Sequence, residues 1–267
     1  MWVPQYRAFR AGEVTDGQWD ASNVGNYSAA FGYDTIAKGV GSFAAGATNT
    51  VNAYFGTAFG WRNSIGSTAV GSAAFGQQNT VNGNGSITAG ISNLIPSSGA
   101  YSYAFGGNNI VSGTYSFAVG NSNEINDSGV HNSVAIGDDN FVDAGDNKIV
   151  IGKNNVGETG SYGYAFGKDN VVMQGTAIGY GNRGVAGVAI GYRADTYGFE
   201  GLVINVSSTA TGTLGAPNVI ALLGGNVGVG DANPQALFGV ANSTFRVNNS
   251  GNLIRIRDVP YSWPSLQ

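Results

Sequence analysis

The sequence predicts an all-β fold, a parallel β-roll or β-solenoid of about twelve repeats of 12–17 residues each. Composition and a repeated phrase lead to this expectation. The 267 residues include 44 glycines, only 10% are charged, and 42% are hydrophobic. Helix formers such as Glu, Lys, Leu and Met are scarce, whereas glycine with β-branched and aromatic residues is typical of short strands joined by tight turns.

The repeated phrase is Ser-x-Ala-φ-Gly, in which φ is an apolar residue. Its final glycine returns every 12–17 residues, with a basic period of about 14. These glycines are Gly32, Gly46, Gly60, Gly76, Gly90, Gly106, Gly120, Gly137, Gly152, Gly167, Gly179 and Gly191. Repetition at a short, nearly fixed period is the signature of a solenoid, in which each repeat forms one coil.

Two further columns of residues keep their distance from this glycine. Alanine lies two positions before it, and asparagine three positions after it, in ten of the twelve repeats. A hydrophobic residue such as Val51 or Ile65 usually follows two positions after the asparagine. The asparagine column indicates left-handed turns and stacked side-chain amides.

The repeat also predicts which face of each strand is buried. Because side chains alternate across a strand, Phe31 and its equivalents share one face, which we expect to fill the coil. The alanines, such as Ala30, lie on the opposite face, which stays small and uncharged in every repeat. A coil of about 14 residues encloses only a thin core, so we expect the alanine face to pack against further copies in a homo-oligomer.

Charge and composition exclude several classes of partner. The net charge of −4 and the pI near 4.8 leave no basic stripe for nucleic acid. Cysteine is absent, so neither disulfides nor thiolate metal sites are expected. The first twelve residues lack the features of a secretory signal, and no apolar run reaches the roughly 18 residues of a membrane helix. We expect no membrane insertion and no cofactor.

Four aspartates, Asp138, Asp139, Asp143 and Asp146, fall within nine residues and offer oxygen ligands that Ca²⁺ prefers. The alternative is a set of turn-forming aspartates at strand ends, which we favour, so no metal site is predicted. Residues 179–184 match G-x-G-x-x-G, but a dinucleotide site needs a helix where the next repeat begins.

Catalytic constellations are weak in this chain. His131 is the single histidine, and no serine lies in a nucleophile elbow, so His131 is expected to be an exposed residue of the 17-residue repeat. A polysaccharide depolymerase remains the enzymatic alternative because such enzymes also use β-solenoids, yet no recurrent or aromatic-flanked carboxylate pair is present. We expect no catalytic residues and no enzyme activity.

Binding is expected where the repeats are longest. Residues 93–101 and 121–132 interrupt the minimal period and should protrude. Trp61, Tyr54 and Tyr101 are candidate platforms for a sugar, unless they pack on neighbouring coils instead. Trp61, Tyr101 and His131 are therefore the predicted receptor contacts.

The repeats resemble a known family. The segments SAAFG at 28–32, SFAVG at 116–120 and SVAIG at 133–137 are similar to the head repeats of YadA-type trimeric autotransporter adhesins. The resemblance covers about residues 28–205 and implies a parallel β-roll, three chains side by side, and a role in surface attachment. The regular asparagine column departs from that family, and no secretion signal, stalk or anchor is apparent.

The C-terminal part resembles another group of proteins. GNVGVGDANP at 225–234 and FRVNNSGNL at 245–253 are similar to segments of bacteriophage tail fibres, in which a further region usually follows a Trp-Pro pair like the one at 263–264. We therefore expect a truncated or processed C-terminus. The predicted organisation is a cap or attachment segment at 1–27, the roll at 28–205, a transition at 206–224, and a β-rich trimeric shaft segment at 225–267.

Together these features predict a structural and attachment protein. We expect a homotrimeric shaft of a phage or phage-like tail fibre in the virion, which contacts other tail or fibre proteins and a cell-surface glycan or protein receptor. The alternatives are the head of a bacterial trimeric surface adhesin at the cell surface and a fibre-borne depolymerase.

Overall fold

The computed structural model describes residues 1–128, 131–198 and 200–207, together with the short stretches 211–213, 219–223, 227–229, 238–240, 245–249 and 252–256. The described chain is an all-β parallel solenoid of about twelve coils and contains almost no helix, which confirms the predicted fold class. Each coil consists of one long strand, an asparagine turn, one short strand, and a return turn that leads to the next long strand.

The long strands form a 16-stranded sheet. They are Trp2–Val3, Ala8–Glu13, Ala29–Tyr33, Phe43–Ala47, Thr57–Trp61, Ala73–Gln77, Ile87–Ile91, Tyr103–Gly107, Phe117–Asn121, Val134–Asp138, Ile149–Lys153, Tyr164–Lys168, Thr176–Tyr180, Val188–Tyr192, Gly201–Asn205 and Val219–Leu223. Pairing is parallel and without slips from coil to coil, except that Trp2–Val3 runs antiparallel to Ala8–Glu13. Each glycine of the repeat from Gly32 to Gly179 therefore pairs with the glycine of the next coil, whereas Gly191 pairs with Asn205.

The short strands form a 13-stranded sheet on the other side of the core. They are Ile36–Ala37, Thr50–Val51, Ser64–Ile65, Thr80–Val81, Leu94–Ile95, Ile110–Val111, Glu124–Ser128, Phe141–Ala144, Val156–Gly157, Val171–Val172, Arg183–Gly184, Ala194–Asp195 and Gly212–Thr213. Three 3-10 turns, Pro4–Tyr6, Gly17–Trp19 and Ala21–Asn23, precede the regular coils. Their position places all of the described helical residues at the N-terminal end.

The C-terminal part contributes two described strand pairs. Val227–Val229 pairs in parallel with Phe238–Val240, and Phe245–Asn249 pairs antiparallel with Asn252–Ile256. Most of the segment predicted at 225–267, including the Trp-Pro pair at 263–264, lies outside the described residues. The predicted shaft segment remains a prediction.

The interior of the coils is lined by small side chains from the long strands. The alanines of the repeat are completely buried: Ala30, Ala44, Ala58, Ala74, Ala104, Ala118, Ala135, Ala165, Ala177 and Ala189. Buried valines and isoleucines of the short strands, such as Val51, Ile65 and Val81, face them across the core. The hydrophobic core is thus a ladder of alanines packed against a ladder of branched side chains.

The predicted orientation of the long strands was wrong. Phe31, Phe59 and Phe75 were expected inside the coil, yet they are 36%, 53% and 42% exposed, while the alanines expected to face outward are buried. The reason is the width of the coil. Two sheets joined by turns of a few residues approach too closely for aromatic rings, so alanine fits inside and the larger side chain lies outside.

The glycines of the repeat permit this close stacking. At Gly60 the backbone has φ +121°, and a Cβ atom there would lie 2.0 Å from the carbonyl oxygen of Gly76 in the next coil. Because φ in this region is open only to glycine, and no side-chain carbon fits so close to a carbonyl oxygen, the position is closed to other residues. The glycine column is therefore required by the stacking distance between coils.

The predicted amide ladder is present and lies inside the core. Asn109 is completely buried, and its Nδ2 donates to Asn93 Oδ1 (2.9 Å) and to the Gly120 carbonyl (3.0 Å). Its Oδ1 accepts from both Nδ2 (2.9 Å) and the main-chain N–H (3.0 Å) of Asn123. The same side-chain contacts connect Asn49, Asn63, Asn79, Asn93, Asn109, Asn123, Asn140, Asn155 and Asn170.

The left-handed turn predicted for this column belongs to the residue before each asparagine. Asn108 and Ser122, for example, have φ of 54°. The asparagines themselves use their side chains to satisfy buried main-chain groups, which is the usual requirement for polar groups in a core.

Serines of the repeat form a second polar ladder. The main-chain N–H of Ser102 donates to Ser86 Oγ at 3.0 Å, and that of Ser116 donates to Ser102 Oγ at 2.9 Å. Ser86, Ser102 and Ser116 are all buried. The serine of the repeated phrase therefore ties the start of each long strand to the coil before it.

Two buried cations interrupt these ladders. Arg10 lies in the alanine column of the first long strand of the array and donates to Ser28 and to the Ala37 carbonyl, so it closes the N-terminal end of the core. Lys148 lies in the serine column, is completely buried, and donates to the Ala144 carbonyl. Its stem occupies space left by Gly157, where a Cβ atom would lie 2.8 Å from Lys148 Cδ.

We predict that the amide ladder stabilises the stack far more than an exposed asparagine does. Asn109→Ala removes hydrogen bonds to two neighbouring coils and leaves buried groups unpaired, so the unfolding free energy should fall by about 3 kcal/mol. Asn108→Gly, at the exposed neighbouring position with φ 54°, is the matched control and should change it by less than about 1 kcal/mol. Guanidinium unfolding followed by circular dichroism measures both, and equal losses would contradict a stabilising role of the ladder.

We also predict that restoring the repeat at the buried lysine stabilises the protein. Lys148→Ser with Gly157→Val recreates the serine and valine found in neighbouring coils and removes an unpaired buried charge, for a gain of about 2 kcal/mol. Gly157→Val alone should destabilise, because its side chain meets the lysine stem.

The pH dependence of this gain has a defined sign. Burial lowers the pKa of Lys148 from its ordinary value of 10.5, so the unfolded chain binds this proton more tightly than the folded chain. The gain of the double variant should be largest below the lowered pKa and shrink as the pH rises towards 10.5. Unfolding curves at several pH values measure it, and a gain independent of pH would contradict the buried charge as its cause.

Candidate functional site

The outer surface of the long-strand sheet is a continuous apolar surface on the described coils. Its first column contains the residue before each alanine, and its second column the residue after it. From residue 29 to residue 190 neither column contains a charged residue. We call these two columns the apolar face. Because soluble monomers rarely expose a continuous apolar strip, this face is a candidate interaction surface.

Aromatic rings lie in both columns and contact each other between coils. Phe31 in the second column lies 5.6 Å from Phe43 in the first, and Phe43 lies 6.1 Å from Phe59 in the second, measured between ring centroids. A large side chain in one column coincides with a small one in the other in five successive coils. The pairs are Ala29 with Phe31, Phe43 with Ala45, Thr57 with Phe59, Ala73 with Phe75, and Ile87 with Ala89.

A second aromatic surface lies along the return turns. From Tyr27 to Tyr162 one residue of each return turn has a left-handed backbone conformation, and several of these residues are exposed aromatics. They are Tyr27, Phe55, Tyr101, Tyr115 and Tyr162, with exposed fractions from 46% to 65%. We call this column the return edge. The rings of Tyr101 and Tyr115 stack at 5.3 Å with only 8° between their planes.

Of the three predicted receptor contacts, two lie together. Tyr101 and His131 both belong to the return edge, two coils apart, and both are exposed. Trp61 lies at the other end of a long strand, 39% exposed, with the Arg62 guanidinium 4.5 Å from its ring centroid. The structure therefore separates Trp61 from the other two residues.

Sequence reasoning missed Tyr115 and Tyr162. Each lies five positions before a repeat glycine, as Tyr101 does, so counting backwards from Gly120 and Gly167 would have placed them in the same column. The glycines at the equivalent position of other coils, Gly41, Gly71 and Gly85, were the sequence signal for a left-handed conformation there.

His131 and the nearby aspartates form pairs rather than a metal centre. His131 Nδ1 lies 2.8 Å from Asp146 Oδ1, and this hydrogen bond lowers the pKa of the Asp146 carboxyl. Asp138 contacts Lys153 Nζ at 2.6 Å at the opposite edge of the coil, and this hydrogen bond likewise lowers the pKa of Asp138. Asp143 is bound by Asn126 at 3.2 Å.

The part of the chain that the structure describes contains no group of three or more His, Cys, Asp or Glu residues placed to hold a metal ion. The same part contains no helix long and apolar enough to cross a membrane. An open cleft of about 380 Å³ lies near the last coils, lined by Asp169, Arg183, Arg193 and Asp195 among others. Its two cations and two carboxylates balance, so it has no marked preference for charge.

The chain was also compared with known proteins. No protein-family model and no curated protein matches it.

Proposed function

We propose that the chain forms a trimeric rod, joined through the apolar face, and that this rod is the shaft of a phage or phage-like tail fibre used in attachment to a host. The observation that carries the proposal is the charge-free apolar face. Twelve coils at about 4.8 Å and two columns about 7 Å apart make a strip of roughly 400 Å², the size of the largest apolar patch on a typical soluble monomer, and patches of this size are often functional.

The alternation of large and small side chains supports an interface between copies in the same register. When copies surround a common axis parallel to the rod, the first column of one copy faces the second column of the next. In register, Phe75 of one copy meets Ala73 of its neighbour. A shift by one coil in either direction would bring Phe43 against a phenylalanine, Phe31 or Phe59, and in one direction also alanine against alanine, which leaves clashes or voids.

The number of copies rests on the resemblance of the repeats to trimeric adhesin heads. Any cyclic arrangement with an axis along the rod brings the two columns together, so the alternation alone supports a parallel oligomer. The attachment role rests on the same resemblance and on the tail-fibre-like segment at 225–234. A stiff trimeric rod would present three equivalent return edges to a cell surface, which multiplies a weak individual contact.

The mass in solution tests the assembly. We predict a particle of three times the 27.3 kDa chain mass by light scattering, because a single copy leaves the apolar face exposed. A dimer would retain the parallel interface and contradict the trimer, whereas a stable monomer at micromolar concentration would overturn the assembly altogether.

The register can be tested by moving one side chain between columns. Phe75→Ala should weaken the trimer by about 2 kcal/mol per copy, because it removes a ring buried against Ala73 of the neighbour. Adding Ala73→Phe to the same chain restores one large and one small side chain in each contact and should recover most of this loss. A dilution series in the analytical ultracentrifuge measures both variants, and a double variant no better than the single one would contradict the in-register interface.

The biological location is tested by antibodies raised against the purified chain. Gold-labelled antibodies should mark the tails of phage-like particles in electron micrographs of lysates from the source organism. Labelling confined to the bacterial envelope would overturn the tail-fibre proposal and favour the surface adhesin.

A further inference from the structure

Along the return edge, two exposed tyrosines flank a stretch of short polar side chains, which we call the recess. Main-chain hydrogen bonds between consecutive coils identify which residue of each coil belongs to this column. In each bond the N–H of the column residue donates to a carbonyl of the coil before it. The bonds run from Asn132 to Thr114, from Asn147 to His131, and from Tyr162 to Asp146. The column therefore runs Tyr115, Asn132, Asn147, Tyr162. The two rings are three coil spacings apart, or about 14 Å.

The residues between the tyrosines are short and polar. Asn132 and Asn147 occupy the column itself, and the pair of His131 and Asp146 lies beside it at the same two coils. The side chains of His131 and Asp146 are 49% and 41% exposed. The Asp146 carboxylate accepts from both the main-chain N–H and Nδ1 of His131, which holds the imidazole ring against the coil and leaves Nε2 for a ligand.

The tyrosine walls occupy costly backbone positions. Tyr115 and Tyr162 have φ of 54° and 66°, a region that disfavours bulky side chains, and glycine occupies the equivalent position at Gly41, Gly71 and Gly85. The rings remain 58% and 62% exposed, although Tyr115 also stacks on Tyr101 of the preceding coil. Exposed residues in strained conformations are typical of binding sites.

The recess has the chemistry of a sugar site. A pyranose presents C–H groups on its faces and hydroxyl groups around its rim. The tyrosine rings offer apolar surfaces with a polar tip, while the amides of Asn132 and Asn147, the Asp146 carboxylate and His131 Nε2 offer donors and acceptors for hydroxyls. The two tyrosine rings are about 14 Å apart. Sugar units of about 5 Å each repeat at roughly the spacing of the coils, so two to three units fit between the rings.

Charge selects among the sugars. Asp143 and Asp146 carry negative charge next to the recess, and the one ammonium close by, Lys148 Nζ, is buried beneath it at the Ala144 carbonyl. A carboxylated or sulfated sugar would meet this negative charge without a matching exposed cation at these two coils. The recess therefore favours uncharged saccharides.

We propose that the recess between Tyr115 and Tyr162 binds a neutral oligosaccharide of two to three units, with the tyrosines as walls and His131, Asp146, Asn132 and Asn147 as hydrogen-bonding partners. This proposal names a ligand class for the proposed attachment role. Its biological meaning rests on that role, whereas the binding of the sugar does not. Three copies of the recess on a trimer would bind a repetitive cell-surface glycan with avidity.

Binding of defined sugars to the full chain tests the proposal. The probes are maltotriose, cellotriose, chitotriose and mannotriose, with trigalacturonic acid as the acidic comparison, measured by saturation-transfer NMR and calorimetry. At least one neutral trisaccharide should bind at millimolar or tighter concentration, and trigalacturonic acid should not. Absence of binding by all four neutral probes, or binding of trigalacturonic acid alone, would overturn the proposal.

Glycine variants separate the recess from the fold. Tyr115→Gly and Tyr162→Gly introduce the residue that other coils already carry at this position, so the chain should fold as before, while affinity for the neutral sugar falls at least tenfold. Phe55→Gly is the matched control, because Phe55 belongs to the same column with φ 55° and 65% exposure but lies outside the recess. Unchanged affinity for the sugar in both tyrosine variants, or an equal loss of affinity in the control, would refute the site. The trimer mass and the antibody labelling test the fibre proposal separately.

Discussion

The narrowness of the coil is the constraint on which the rest of the structure depends. At the glycines of the repeat a positive φ would direct a Cβ atom at the next coil, so that at Gly60 it would lie 2.0 Å from a carbonyl oxygen. The long and short strands are joined by turns of a few residues, so the core between them holds alanine on one side and valine or isoleucine on the other. Every larger side chain of the long strands is therefore placed on the outside. The exposed aromatic surface follows from the thin core rather than from any local propensity.

The same narrowness explains why so much of the core is polar. Turns this tight leave main-chain groups inside the coil, and each of them needs a partner. The asparagine ladder supplies it: Asn109 serves the coil before it and the coil after it through one side chain. A slip of one residue along a strand would bring the outer ring of Phe105 into the position of Ala104 and move Asn109 out of the ladder, so the polar core also fixes the register.

The sequence predicted the period, the alanine and asparagine columns and the amide ladder, because these depend only on spacing. It did not predict which face is inside. Alternation shows that Phe31 and its neighbours share a face, but the width of the coil decides whether that face fits within it, and this width depends on turn geometry that the pattern does not contain. The return edge was found in part: Tyr101 and His131 were selected for exposure, whereas Tyr115 escaped notice because its importance lies in its position relative to Tyr162, three coils away.

The reversal of the faces strengthens the argument for assembly. The sequence predicted that copies pack through outward alanines, and this interface was wrong, because the alanines fill the core of the coil. With the alanines inside, Phe59 and Phe75 remain about half exposed in a strip without charge. The protein then has two distinct outer surfaces. One is apolar and self-complementary in size, and suits further copies of the chain; the other, along the return edge, carries strained tyrosines beside polar groups, and suits a ligand that is both apolar and rich in hydroxyls. Because the chain turns away from the sheet at the return edge, the proposed assembly through the apolar face and the proposed recognition at the return edge would use different residues of each coil.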